Sequence, residues 1–209
     1  MKRLNPKIGL KKYRKRNHIP TNKELRKIVL DYIKYKNWYV NSNKAIKEFF
    51  HDDSLFIKCI AVTSQQNDLK NNVDFAIIAY QYIKNNRNLK EVNFGIANSA
   101  IQINLNRVKR GQLPQGNKIR PFSLALRGDL SQVVIDTHMT KFFTNNKKKV
   151  PCRTDIRHIN TIIRKLSSDL NLKPSETQSC IWSYIKLNME YSREKTDYDY
   201  SYFLNELKR

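Results

Sequence analysis

Apolar residues at Ile156, Ile159, Ile162, Ile163, Leu166 and Leu170 recur at steps of three and four. On a helix that spacing lines up one face, whereas on a strand it scatters over both, so only a helix can bury these side chains together. The same period returns at Leu25, Ile28, Val29, Tyr32 and Ile33, predicting a helix over 23–36 capped by Thr21 or Asn22. It returns again at Val73, Ile77, Tyr80 and Ile83, predicting a helix over 69–85. Ala45, Ile46, Phe49 and Phe50 predict a short helix over 43–50, and Pro174 opens another, with Ser175 as an early cap. The run 54–63 is almost wholly apolar and fits a buried strand or a buried helix; a helix is expected, because no partner strand is in sight. The Tyr-rich tail, with Tyr191, Tyr198, Tyr200, Tyr202 and Phe203, reads as a last helix. An all-α chain of roughly ten helices follows. Its expected division is a basic arm over 1–22 and a single domain over 23–209 made of two helical lobes around a cleft.

Charge narrows the partners. The 209 residues hold 40 Lys and Arg against 18 Asp and Glu, a net +22, while 40% hydrophobic residues supply a real core. Such a balance calls for a polyanion, nucleic acid first and anionic membrane second. Residues 1–16 carry eight basic residues and no acid, a solvated tail able to track phosphates. Between Glu91 and Asp129 there is again no acid, while Arg107, Lys109, Arg110, Lys118, Arg120 and Arg127 are present. Gly111 and Gly116 in that stretch would let backbone N–H groups meet a phosphate near a helix start. A second basic stretch runs from Lys141 to Arg153 and includes Lys147 and Lys148. No apolar run spans a membrane and no apolar signal core opens the chain, so a cytoplasmic or nucleoid-associated monomer is expected. Cys59, Cys152 and Cys180 lie far apart, and His18, His51, His138 and His158 lack ligand spacing, so neither metal nor cofactor is expected. Abundant Lys, Asn and Ile match an A+T-rich genome, as in a phage or virus.

Chemistry concentrates in residues 111–143. Lys118 follows a glycine turn, and Asp136 precedes a helical pattern containing Met139, Phe142 and Phe143. Two readings stand on the residues alone. One is a surface lysine and a helix N-cap aspartate. The other is a nucleophile and a carboxylate facing a common cleft, the pair needed to attack an electrophilic carbon and manage the proton. Trp38, Tyr39, Phe56 and Tyr80 are core residues or stacking walls, core being the simpler reading.

Four landmarks together resemble the helix-hairpin-helix DNA glycosylase superfamily, the endonuclease III-like group, over about residues 55–190. Ser64-Gln65-Gln66 is similar to its Ser-x-Gln motif. Phe94-Gly95-Ile96-Ala97-Asn98-Ser99-Ala100 resembles its Gly-x-x-Asn turn and helix. Leu113-Pro114-Gln115-Gly116-Asn117-Lys118 is similar to its hairpin, and Val134-Ile135-Asp136-Thr137-His138 to its Val-Asp-Thr-His. The resemblance implies that Lys118 attacks the sugar and forms a Schiff base. It implies that Asp136 supports base departure, that Gln66 with Ser64 meets the space of a flipped base, and that Gly116 and Asn117 grip a phosphate. Asn98, Lys109, Arg110, Arg120, Lys147 and Lys148 are assigned to DNA binding. The implied substrate is double-stranded DNA with a damaged or modified base, extruded from the stack. This chain departs from the pattern in a degenerate hairpin around Pro114 and Gln115, in a short segment between Asn98 and Pro114, and in lacking iron–sulfur cysteines. Three functions remain in view: a DNA glycosylase with lyase activity, an enzyme of the same fold that modifies a thymine-derived base in phage DNA, and a non-catalytic DNA-binding protein.

Overall fold

Every regular element among the described residues is a helix, as seen in a computed structural model that describes residues 13–14, 19–189 and 199–206. Ten α-helices lie among the described residues, with no strand. They are α1 (Asn22–Asp31), α2 (Trp38–Phe49), α3 (Asp53–Thr63), α4 (Leu69–Lys84), α5 (Asn98–Lys109), α6 (Ile119–Leu126), α7 (Thr137–Phe143), α8 (Arg153–Asp169), α9 (Pro174–Asn188) and α10 (Tyr200–Glu206). Apart from Tyr13 and Arg14, the 1–16 stretch falls outside the described residues, as do His18, Tyr191 and Tyr198.

Local chemistry explains most helix starts. Thr21 caps α1 by accepting from the Glu24 N–H at 3.2 Å, while Glu24 accepts from the Thr21 N–H at 2.6 Å, a reciprocal box that satisfies two orphan donors. Asp52 caps α3 through the Leu55 N–H at 3.0 Å, and Asp68 caps α4 through the Asn71 N–H at 2.7 Å. Three expected boundaries move. α1 stops at Asp31 and gives way to a 3-10 turn over Ile33–Tyr35. α2 begins at Trp38, five residues ahead of the expected 43, because Trp38 and Tyr39 are drawn into aromatic packing that local periodicity does not encode. Ser175 is not the cap of α9; Lys173 takes that position with Pro174 behind it, and Ser175 is buried.

The chain forms two compact units. One joins residues Met1–Lys36 to Ile135–Asp197, and the other joins Asn37–Val134 to Tyr198–Arg209. In the second unit α3 is the hub, packed against α2, α4, α5 and α6. Phe56, Ile57, Cys59, Ile60, Ala61, Val62 and Thr63 are all buried, as a helix apolar on every side must be. The run 54–63 is therefore the expected helix. Around it Trp38 lies edge-on to Tyr200 at 5.2 Å, and Phe50 stacks on Phe56 at 3.6 Å between ring centroids. Trp38, Tyr39, Phe56 and Tyr80 are all core. α10 seals this unit against α2 and α4, with the Asn72 side-chain amide donating to the Tyr200 hydroxyl and the Thr63 hydroxyl donating to Asn72 Oδ1 at 2.6 Å.

In the first unit α9 is the hub, packed against α1, α7 and α8. α8 turns Ile159, Ile162, Ile163 and Leu166 inward, as the three-and-four spacing requires. Ser179 of α9 donates to the backbone carbonyl of Tyr35 at 3.0 Å, tying the end of the N-terminal pair of turns to the hub.

Candidate nucleic-acid site

In the second unit, three distant segments meet. The Lys118 Nζ donates to the Ser64 carbonyl at 2.7 Å and stands 5.7 Å from the Phe122 ring centroid. Lys118 itself occupies the N-cap position of α6, just after the turn at Gly116. Gly116 has φ +132, a conformation open to glycine, and a Cβ there would come within 3.2 Å of the Ile119 Cδ1. The Gln115 N–H donates to Asn104 Oδ1 at 2.8 Å, which fastens this turn to α5. α5 runs from Asn98 straight to the Gly111 turn, so one helix fills the short segment before Pro114.

The loop after α3 carries the other half of this surface. Ser64 is buried, and its hydroxyl donates back to the Ala61 carbonyl at 2.9 Å. The hydroxyl is thus spent on its own helix, and Ser64 reaches Lys118 through its carbonyl instead. Gln66 is exposed and sits at φ +59, a left-handed conformation uncommon for a side-chain-bearing residue. Next to it, Asn67 Nδ2 donates to the Thr63 carbonyl at 2.7 Å and reaches the Phe94 carbonyl at 3.5 Å, stitching this loop to the 94–98 turn. Asn98 Oδ1 accepts from the Phe94 N–H at 2.9 Å, so the asparagine shapes the turn from within. At its tip Ile96 is 85% exposed, the most exposed large apolar side chain among the described residues. Ile96 was not singled out from the sequence; an isoleucine next to the glycine of a polar turn was the signal to follow.

The basic residues divide. Arg110 and Arg120 are exposed on the second unit, whereas Lys109 Nζ donates to the Arg87 carbonyl at 3.0 Å. Asn117 is exposed beside Gly116.

Asp136 belongs to the first unit. It caps α7, its Oδ1 accepting from the Met139 N–H at 2.8 Å, and its Oδ2 accepts from the Trp182 indole N–H at 2.9 Å. The N-cap reading of Asp136 therefore holds in full, and both carboxylate oxygens carry hydrogen bonds. Lys186, buried in α9, stands 5.7 Å from the Trp182 ring centroid. Lys147 is exposed in the loop after α7. Lys148 is ion-paired with the buried Asp155 at 2.8 Å, and that hydrogen bond raises the lysine's pKa. Burial alone would raise the Asp155 pKa, but hydrogen bonds from Lys148 and the Cys152 N–H outweigh it and hold the carboxyl low. Tyr13 stacks on His158 at 4.4 Å between centroids. Burial first, and the Asp155 charge second, push the Tyr13 pKa up.

Among the described residues no group of three or more His, Cys, Asp or Glu side chains could hold a metal ion, and no helix is long and apolar enough to cross a membrane. All three cysteines are free, with Cys59 and Cys180 buried and Cys152 exposed. No curated protein and no solved structure matches the chain. A family profile described as "Family of unknown function (DUF7178)" matches residues 31–189, and the chain belongs to that family.

Proposed function

We propose that this chain is a DNA-binding enzyme acting on a flipped base, most simply a DNA glycosylase with a lyase step through Lys118. One observation carries the reading: the Ser64–Asn67 loop, the Phe94–Asn98 turn and Lys118 come together in one unit, and the loop and the turn expose Gln66 and Ile96 respectively. A protruding apolar side chain and an amide at a shared surface are what opening a base stack requires. The apolar group takes the stacking space and the amide offers both donor and acceptor. The net charge of +22 supplies sequence-independent attraction to phosphates.

The proposed chemistry starts with a neutral Lys118 amine. It attacks the anomeric carbon of the extruded nucleotide, and the bond to the base breaks with its electron pair leaving on the base nitrogen, which takes a proton. Loss of the amine proton and opening of the sugar ring leave a protonated Schiff base. Loss of a proton from the sugar C2′ then expels the 3′-phosphate with the C3′–O electron pair, which is the lyase step, and water hydrolyses the remaining imine to free lysine and an unsaturated aldehyde. Asp136 is assigned the stabilisation of positive charge on the sugar as the base departs.

A second reading is a DNA-binding protein without catalysis. It is favoured by the structural employment of Asp136, whose two oxygens serve the α7 cap and the Trp182 indole. Duplexes carrying uracil, thymine mismatches, oxidised bases, alkylated bases or 5-hydroxymethyluracil, incubated with and without borohydride, separate the two. A glycosylase releases base, an event lost in Asp136→Asn, and gives a borohydride-trapped adduct lost in Lys118→Ala. Absence of release and adduct on every substrate, with duplex binding intact, would sink the glycosylase reading. A changed base mass without strand loss would instead mark a base modifier.

A further inference from the structure

The exposed face of α8 has no role in the proposed chemistry. Arg153, Arg157 and Arg164 are all exposed there. Offsets of four and eleven residues place them within about 40° of one another around the helix and about 16 Å apart end to end. Among the described residues no carboxylate pairs with any of the three; Lys148 takes the nearby Asp155 and Lys27 takes Asp31. The acids of this helix are the buried Asp155 and the terminal Asp169. Thr161 and Ser168, exposed on the same side, are small and would let another backbone approach closely.

This placement works against the helix itself. Arg153 is the first residue of α8, where the helix dipole favours anions and disfavours cations. An unpaired cation in that position becomes favourable when an external anion reaches both it and the helix start.

We infer that the Arg153–Arg157–Arg164 stripe is a second DNA-docking surface, one that tracks the phosphates of a duplex without reading bases. The inference rests on the proposed function for its DNA partner and takes nothing from its chemistry. Duplex DNA presents one charge per about 1.7 Å of axis over both strands, so a stripe of this length runs along about five phosphates of either strand, enough to engage all three guanidiniums. Guanidinium forks also suit phosphate oxygens, each pair making two parallel hydrogen bonds. A membrane surface fits poorly. A membrane-seated helix lays an apolar face into lipid, but the apolar face of α8, with Ile159, Ile162, Ile163 and Leu166, is turned into the core.

The test uses the full chain and a 20-base-pair duplex of ordinary bases. Fluorescence anisotropy from about 50 to 200 mM salt is read for wild type, Arg153→Gln/Arg157→Gln/Arg164→Gln, the matching triple Lys variant and Lys118→Ala. All three arginines are exposed, so far-UV circular dichroism should be common to the set. The expected result is a log–log salt slope shallower by about 2–3 in the Gln variant, with affinity at least about tenfold weaker near 100 mM. The Lys variant should retain the wild-type slope. An unchanged slope and affinity in the Gln variant would overturn the inference. So would arginine-dependent binding to phosphatidylserine vesicles without duplex binding. The failures separate cleanly. A slope change without base release on any substrate leaves the stripe standing and removes the catalytic reading, and base release with an unchanged slope does the reverse.

Discussion

Asp136 joins two structural duties that can be taken apart. Replacing it with Ala removes the α7 cap, which costs about 1 kcal/mol. It also strands the half-buried Trp182 indole N–H, which loses a charged acceptor at 2.9 Å and adds about 1–2 kcal/mol. The sum is about 2–3 kcal/mol, or a melting temperature lower by about 4–12 °C in a chain of this length. Asn is as good a cap as Asp, so Asp136→Asn should keep the Met139 bond and lose only the charged acceptor, about 1 kcal/mol and a drop of about 2–4 °C. Trp182→Phe removes the donor from the other side. A double-mutant cycle of Asp136→Asn with Trp182→Phe, read by thermal melting, should return a coupling of about 1 kcal/mol. Trp38 and Trp182 are the chain's two tryptophans, and Trp38 is core, so a change in tryptophan emission in Asp136→Asn also reports on the indole bond. Strict additivity in the cycle, or equal losses in the Asn and Ala variants, would refute this account. For function the pair is equally informative. Asp136→Asn is expected to remain folded, so any loss of base release in it belongs to chemistry and not to a collapsed helix.

Other expectations concern the buried network, the glycine turns and pH. Tyr200→Phe should leave the Asn72 amide without its acceptor where Asn72 is 1% exposed, lowering stability by about 1–3 kcal/mol in urea unfolding. Gly116→Ala should cost about 2–3 kcal/mol, because φ +132 is hostile to any Cβ and Ile119 stands 3.2 Å away. Gly111→Ala, at φ +74 with nothing within 4 Å, should cost only about 1 kcal/mol, so equal melting temperatures for the two would contradict the strain assignment. His158 has its pKa lowered by burial first and by the Arg157 charge second. The unfolded chain therefore binds this proton more readily. The contribution is complete above the ordinary value of 6.5 and is lost as pH falls through the depressed folded value. His158→Phe, which keeps a ring against Tyr13, should flatten the stability profile below pH 6.5, the ordinary value; an unflattened profile would assign the dependence to another group.

How much of this was legible in the sequence depends on the reach of each interaction. α4 and α8 stand where the periodicity of Val73 through Ile83 and of Ile156 through Leu166 places them, and Thr21 caps the helix it was expected to cap. These features are made by hydrogen bonds and side chains within a few residues, so a short window of sequence contains their cause. The N-cap role of Asp136 is of the same kind, since its partner is three residues away. The start of α2 was not legible, because Trp38 is held by Phe122 and Tyr200, far along the chain. Nor was the left-handed backbone of Gln66, or the turning of the Ser64 hydroxyl away from Lys118. Lys118 meets Ser64 across 54 residues of chain, and Trp182 meets Asp136 across 46. Such pairs form only when α3 packs against α6 in one unit and α9 against α7 in the other, and no local pattern records where a buried helix will end in space. The sequence by itself determined an all-helical, strongly basic chain with its helix caps. Tertiary packing alone decided which carbonyl holds the lysine, which indole holds the aspartate, and that α8 shows its arginines to solvent with no acid among the described residues to meet them.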